Sequence, residues 1–367
     1  MDYIVSARKY RPITFESVVG QANITSTLKN AVRNNRIAQA YLFCGPRGVG
    51  KTTCSRIFAK TINCSNLGPD LEVCNECESC RAFNENRSFN IHELDAASNN
   101  SVDDIRTITE QVRIPPQVGK YSVFIIDEVH MLSQAAFNAF LKTLEEPPSY
   151  AIFILATTEK HKILPTILSR CQVFEFNRIT EKDTVQYLKY VAEKEGITVE
   201  DDALPIIAEK ADGAMRDALS IFDQIVAFSG KNITYKSVVE NLNVLDIEVF
   251  FDVVQCFVEH DYVKALLKYD EVVRSGFDEV NFVSGLSRHL RNLLVAKDAQ
   301  SVSLLDVSEK TAERYKSQAQ TIDSKDIIAL IEILSEAELN FRYARDKRLF
   351  VEFMLLKACV HGDEKKK

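Results

Sequence analysis

Apolar residues fall along the chain in two kinds of pattern. Short unbroken runs occupy 40–44 (AYLFC), 121–126 (YSVFII) and 150–156 (YAIFILA), with weaker ones at 91–95 and 172–176. Runs of this length without alternation suit strands buried on both faces, as in a parallel sheet. Between them the spacing turns helical. Ile24, Leu28 and Val32 recur every four residues in a helix over 23–33 that Asn23 is placed to cap. Ile57 and Phe58 share a face of 53–62, and Val102, Ile105, Ile108 and Val112 form a stripe in 101–114. Ser133 caps a further helix with Ala136, Phe137, Phe140, Leu141 and Leu144 on one side, and a short helix follows Pro165. Strands alternating with helices predict an α/β domain, a parallel sheet with helices on both faces.

After Arg178 the strand pattern stops. Thr180 and Asp183 form a capping box for a helix to about Lys194, and helices over 202–211 and 215–228 are split by Asp212-Gly213. These predict a small helical lid. All nine prolines lie at or before Pro205, and three glycines follow Gly230, so the last third reads as long helices such as 248–258, 280–296 and 327–341. Their apolar stripes suit a bundle. The expected domains are 1–177, 178–243 and 244–367, ending in a solvated charged tail at 363–367.

Composition narrows the class. A chain of 367 residues has room for two or three cores, and 46% hydrophobic with 26% charged residues is ordinary for a globular protein. A net charge of −7 confines any nucleic-acid contact to a local patch or channel. The first ten residues carry charges and no apolar core, unlike a signal peptide, and no apolar run is long enough to span a bilayer. A cytoplasmic, non-membrane protein is expected. Its nine cysteines are then better read as metal ligands, where clustered, than as disulfides.

Candidate chemistry concentrates where strands end. The run 40–44 feeds Gly45-Pro46-Arg47-Gly48-Val49-Gly50-Lys51-Thr52, which fits G-x-x-x-x-G-K-[ST] at every position, and Thr53 opens a helix. In such a loop the backbone N–H groups cradle phosphates. Lys51 reaches the β- and γ-phosphates, and the Thr52 hydroxyl ligates Mg²⁺. The run 121–126 delivers Asp127 and Glu128, placed to hold the Mg²⁺ shell and to orient an attacking water; His130 reads as a packed histidine. Cys64, Cys74, Cys77 and Cys80 form C-x9-C-x2-C-x2-C. Four thiolates suit a closed structural Zn²⁺ site. An iron–sulfur cluster is the competing occupant, although the Cys-Pro that would complete a ferredoxin run is replaced by Arg81-Ala82-Phe83-Asn84.

Together with Thr157 after the 150–156 run, Ser169-Arg170-Cys171 and GAMRDALS at 213–220, these motifs resemble those of AAA+ ATPases. The cysteine array and the opening ARKYRP at 7–12 narrow this. The chain resembles the gamma/tau family of bacterial DNA polymerase III subunits, the ATPase motors of the sliding-clamp loader, over essentially its whole length. That family also has a longer form, and a chain ending at Lys367 resembles the shorter form or a trimmed piece. The resemblance implies ATP and Mg²⁺ on Gly45–Thr53 with Asp127, and Glu128 as the water-activating residue. Thr157 would be the first sensor and Arg216, on the lid, the second. Arg170 would be an arginine finger acting in a neighbouring subunit's site. Tyr10, Arg11 and Pro12 would line the adenine pocket, which revises the reading of 8–21 as a bland strap, and Cys64, Cys74, Cys77 and Cys80 would hold zinc. The implied partners are other clamp-loader subunits in a pentameric hetero-oligomer, the sliding clamp, primer–template DNA and the polymerase III core. ATP would drive clamp opening, and hydrolysis on DNA would release the closed clamp; polymerase activity itself is not expected. The helical end would be the collar. The rivals are a branch-migration helicase or other DNA-remodelling ATPase, a metabolic phosphotransferase and a non-enzymatic scaffold. The cysteine array and helical end oppose the first, the want of a second substrate pocket the next, and intact Lys51, Thr52, Asp127 and Glu128 the last.

Overall fold

The computed structural model describes residues 4–85, 87–305, 307 and 309–361; the charged tail at 363–367 lies outside them. The chain divides into two compact units, residues 1–194 with 208–224, and 195–207 with 225–367.

The first unit holds a five-stranded, all-parallel sheet: β1 (Ala40–Cys44), β2 (Ile91–Asp95), β3 (Ser122–Asp127), β4 (Ala151–Thr157) and β5 (Gln172–Glu175), in the order β2-β3-β4-β1-β5. Its apolar runs are unbroken because successive side chains enter two different cores. Tyr41, Phe43, Val123, Ile125 and Ile154 pack with Ile57 and Phe58 of the helix Lys51–Asn63 on one face. Leu42, Phe124, Ile126 and Leu155 pack with Ile105, Phe137 and Phe140 of the helices Val102–Val112 and Gln134–Glu145 on the other. The helix after β1 thus leaves to the face opposite those that precede β3 and β4. The connections part at the carboxyl end of β1, and in open parallel sheets that is where ligands bind. Register sharpens the point: Cys44 pairs with Thr157 and Asp95 with Asp127, so the functional strand ends finish level.

Two expected starts move. The helix expected over 23–33 spans Ala22–Arg33, and Asn23 is not its cap. The N-cap is Gln21, whose side-chain amide donates to the Asn177 carbonyl at 2.7 Å instead, while Asn23 lends its carbonyl to the hydroxyls of Ser26 and Thr27. The helix after the glycine loop begins at Lys51, two residues before Thr53. Ser133 does cap its helix, accepting from the Ala136 N–H at 3.3 Å. Thr180 accepts from the Asp183 N–H at 3.1 Å and returns its hydroxyl to the Asp183 carboxylate at 2.8 Å, ahead of the helix Glu181–Glu195.

The second unit is helical apart from a two-residue parallel pair, Thr198–Val199 with Asn232–Ile233, too short to leave a pattern. Ile247–Glu259, Glu279–Ala296 and Ser324–Asn340 match the expected long helices, and Tyr262–Arg274 and Lys347–Val360 join them. Their core includes Val253, Tyr269, Leu286, Leu334 and Leu355. Inside it lies a polar trio. His289, 2% exposed, faces Gln318 through Nε2 at 3.0 Å and the Tyr315 hydroxyl through Nδ1 at 3.1 Å. The Gln318 amide donates to the Phe251 carbonyl at 2.8 Å, which turns its oxygen toward His289 and makes Nε2 the protonated nitrogen. Among the described residues no helix is long and apolar enough to cross a membrane.

Candidate nucleotide site and metal centre

The loop after β1 is built against its neighbours. The Gly45 N–H donates to the Thr157 carbonyl at 3.2 Å. Gly45 has φ +149°, and a Cβ there would stand 2.4 Å from the Phe176 carbonyl oxygen. Its backbone can lie this close to the sheet only as glycine. The helix then starts at Lys51 with Gly50 as an N-cap that offers no side chain, which leaves the first N–H groups for an anion. Lys51, 6% exposed, rests its ammonium on the carbonyls of Gly45 and Pro46, both at 2.7 Å. Burial draws its proton affinity below the ordinary lysine value, and the Glu128 and Asp127 carboxylates pull it back up.

The Thr52 hydroxyl donates to Asp127 Oδ2 at 2.5 Å, so the end of β3 reaches past β4 to the loop of β1. Thr53 accepts from Arg11 Nε at 3.2 Å. Burial, then the charge of Arg56, holds Arg11 below its usual value, with Glu93 and Asp127 opposing. Arg11, Lys51, Thr52, Thr53 and Asp127 line one cleft of about 500 Å³. Tyr10, Arg11 and Pro12 lie along it with Arg47 to Thr53, Asp127, Glu128 and Arg216. The lid segment sits directly on the phosphate loop: the Arg216 N–H reaches the Gly48 carbonyl at 3.4 Å, and a Cβ on Gly48 would be 2.9 Å from that of Ala214. Val18, Val19, Ile179, Met215 and Leu219 also line the cleft. They escaped the sequence reading because they are ordinary apolar residues from three separate segments.

Glu128 has φ +48°, a left-handed conformation rare for a side chain of this size. Its Oε2 accepts from the Thr158 hydroxyl at 3.0 Å. Thr157 does not line the cleft. It is fully buried, and its hydroxyl meets His130 Nδ1 at 3.0 Å and the Glu159 N–H at 3.0 Å. His130 in turn lies 3.4 Å from Glu128 Oε2 and 3.2 Å from Glu159 Oε2. The packed histidine is therefore also the connector between Thr157 and Glu128. Arg170 stands apart: its guanidinium pairs with Glu145 at 2.8 Å and the Thr166 carbonyl at 2.7 Å, and does not enter its own chain's cleft.

The four cysteines converge after the phosphate-loop helix, with all four sulfurs within 4.8 Å of one another. Cys64 and Cys74 Sγ are 3.6 Å apart. A tetrahedral centre with metal–sulfur bonds of about 2.3 Å has edges of about 3.8 Å, so the donor set fits a Zn²⁺-sized ion. The Cys77 N–H already points to Cys74 Sγ at 3.3 Å. Against the penalty of burial, the backbone N–H groups of Ser65 and Cys80 draw the Cys77 thiol down to about 6.

Three family models match successive stretches of the chain. Residues 20–180 match the family model for the DNA polymerase III delta subunit, and 183–231 that for the ATPase lid domain of a DNA polymerase III clamp loader subunit. Residues 233–366 match domain III of DNA polymerase III subunits gamma and tau. DNA polymerase III subunit tau of Bacillus subtilis is 40% identical over 98% of this chain, and the Escherichia coli subunit tau 36% over 98%. The chain spans 64% and 56% of those two proteins. Among solved structures, the Thermotoga maritima RuvB Holliday junction branch migration motor aligns with 68% of this chain and 79% of its own, at TM-score 0.49 and 20% identity. A likeness at that level carries no argument about function. With more than a third of its residues shared along nearly its whole length, the chain belongs to the gamma/tau family of DNA polymerase III subunits.

Proposed function

We propose that this chain binds ATP and Mg²⁺ in the cleft of its first unit and hydrolyses the nucleotide as a motor subunit of a sliding-clamp loader. The observation that carries this reading is the Thr52–Asp127 hydrogen bond, which joins the phosphate loop to the end of β3 at the point where a Mg²⁺ shell is needed. Thr52 and Asp127 would hold the Mg²⁺, which would supply charge neutralisation during phosphoryl transfer. Lys51 exchanges its two carbonyl acceptors for phosphate oxygens. Glu128, one oxygen held by Thr158, orients the attacking water with the other. His130 couples Glu128 to Thr157, and Arg216 follows the lid onto the loop. Tyr10, Arg11 and Pro12 take the adenine end.

The partners in this reading are further clamp-loader subunits in a pentameric hetero-oligomer, the sliding clamp, primer–template DNA and the polymerase III core, in the cytoplasm. Its domains are 1–177, 178–243 and 244–367, the last as collar. DNA contacts to phosphates make loading salt-dependent and indifferent to sequence. Cys64, Cys74, Cys77 and Cys80 hold Zn²⁺ in a closed, structural site. The deciding measurement is steady-state ATP hydrolysis by the assembled complex, with and without clamp and primed DNA. Stimulation by both together is expected, and Glu128→Gln should abolish turnover while ATP binding persists. A rate indifferent to clamp and DNA, or a Glu128→Gln complex that hydrolyses like the parent, rejects the assignment.

A further inference from the structure

Lys60 is a lysine in an unusual place. It lies on the phosphate-loop helix, nine residues after Lys51, and is 5% exposed. Its ammonium donates to two neutral amide oxygens, Asn75 Oδ1 at 2.5 Å and Asn84 Oδ1 at 2.6 Å. No carboxylate pairs with it among the described residues. Fully buried lysines are rare, and buried charges ordinarily have a partner of opposite sign.

Each group around the ammonium belongs to a segment that carries a cysteine of the metal centre. Lys60 precedes Cys64 by one helical turn, Asn75 follows Cys74 directly, and Asn84 follows Cys80 by one turn of the helix Glu78–Asn84. Four thiolates around a divalent ion keep a net charge of −2. They also sit just past the carboxyl end of the helix Lys51–Asn63, where the helix dipole is negative and disfavours an anion. Lys60 is the basic residue of that last turn. Burial lowers its proton affinity, and the sulfurs of Cys80, Cys64, Cys74 and Cys77 raise it.

We propose that Lys60 is the charge partner of the four-cysteine centre, balancing part of its negative charge and so setting how tightly the metal is held. The inference rests on the metal reading given under Proposed function. Asn75 and Asn84 aim the ammonium, and the thiolates with their ion are the missing counter-charge.

The test is zinc release from the full chain to a competing chelator. Loss of an outer-shell partner costs about 10- to 100-fold in metal affinity, and Lys60→Met should show a loss of that size while retaining all four ligands. The decisive control lowers the charge of the centre. In a Cys77→His background the centre carries −1, and Lys60→Met should then cost less than about threefold. Release at the parent rate by Lys60→Met overturns the proposal, as does an equal penalty in both backgrounds. If Lys60→Met does not fold, recovery of folding and zinc uptake in the double variant supports charge balance, and failure of the double variant overturns it. A parent protein that holds no zinc rejects the metal reading itself, an outcome distinct from these.

Discussion

At Gly45 the chain accepts nothing larger than a hydrogen atom, because the Phe176 carbonyl stands where a side chain would begin. Gly45→Ala must therefore lift the loop off the sheet or strain it, at about 1–3 kcal/mol. Its carbonyl is also one of the two on which Lys51 rests, so the shift reaches the phosphate site directly. Titration with a fluorescent ATP analogue should show binding weakened roughly tenfold or more, with the far-ultraviolet spectrum unchanged. Parent-like affinity would show that the close approach is immaterial. At this scale the sequence was informative wherever a residue type is demanded by chemistry: Gly45, Lys51, Thr52, Asp127 and the four cysteines could be named in advance. It was silent about Thr158 and Lys60, and gave His130 as a packed residue without its connecting role. A threonine that steadies a carboxylate, a histidine that connects two side chains or a lysine against thiols differs from its surface counterparts only by its neighbours.

Among the elements, the helix Glu279–Ala296 carries the clearest pH sensitivity. Burial lowers His289 from its usual 6.5 to about 4, with Gln318 opposing and Arg314 reinforcing. In the folded protein between those values His289 is neutral, whereas in the unfolded chain it takes up a proton. Stability is therefore full above about pH 6.5 and falls as the pH drops from 6.5 toward 4, by roughly 3 kcal/mol at the limit. Urea unfolding at pH 7.5 and pH 5 should show this loss in the parent and a smaller one in His289→Gln; equal losses would remove His289 as the cause. Helices were legible where a wide apolar stripe met a long run free of proline and glycine, as in 248–258. The cap at Asn23 was misread because Gln21 spends its amide on Asn177, 156 residues away in sequence. The short pair at 198–199 and 232–233 lies below the length at which alternation can be seen.

For the molecule as a whole, the role proposed for Arg170 in a neighbouring subunit's site tests whether the chain works alone. Its guanidinium pairs with Glu145 on the surface and is not among the groups that line its own chain's cleft. An arginine finger contributes on the order of 10³–10⁵ in rate. Arg170→Ala should leave ATP affinity of the isolated chain unchanged and remove clamp- and DNA-stimulated hydrolysis in the complex. When it is mixed with a Lys51→Ala chain, turnover should survive only at interfaces that pair an intact loop with an intact Arg170. Loss of ATP binding by the isolated variant would mean that the residue acts within its own chain. The α/β class and the helical end followed from periodicity. The order β2-β3-β4-β1-β5 did not, since an apolar run reveals that a strand is buried and not which strands flank it.

The helix Lys51–Asn63 joins two sites that each require a fixed position. Thirteen residues at about 1.5 Å each make a strut about 20 Å long, with the phosphate loop at one end and Cys64 at the other. One inserted residue would turn Cys64 by about 100° relative to Lys51, out of reach of its three partners. An insertion or deletion within this segment should therefore separate the proposed sites in orientation, whereas an exchange of residues on its outer face should not. Its length is as much a specification as its sequence.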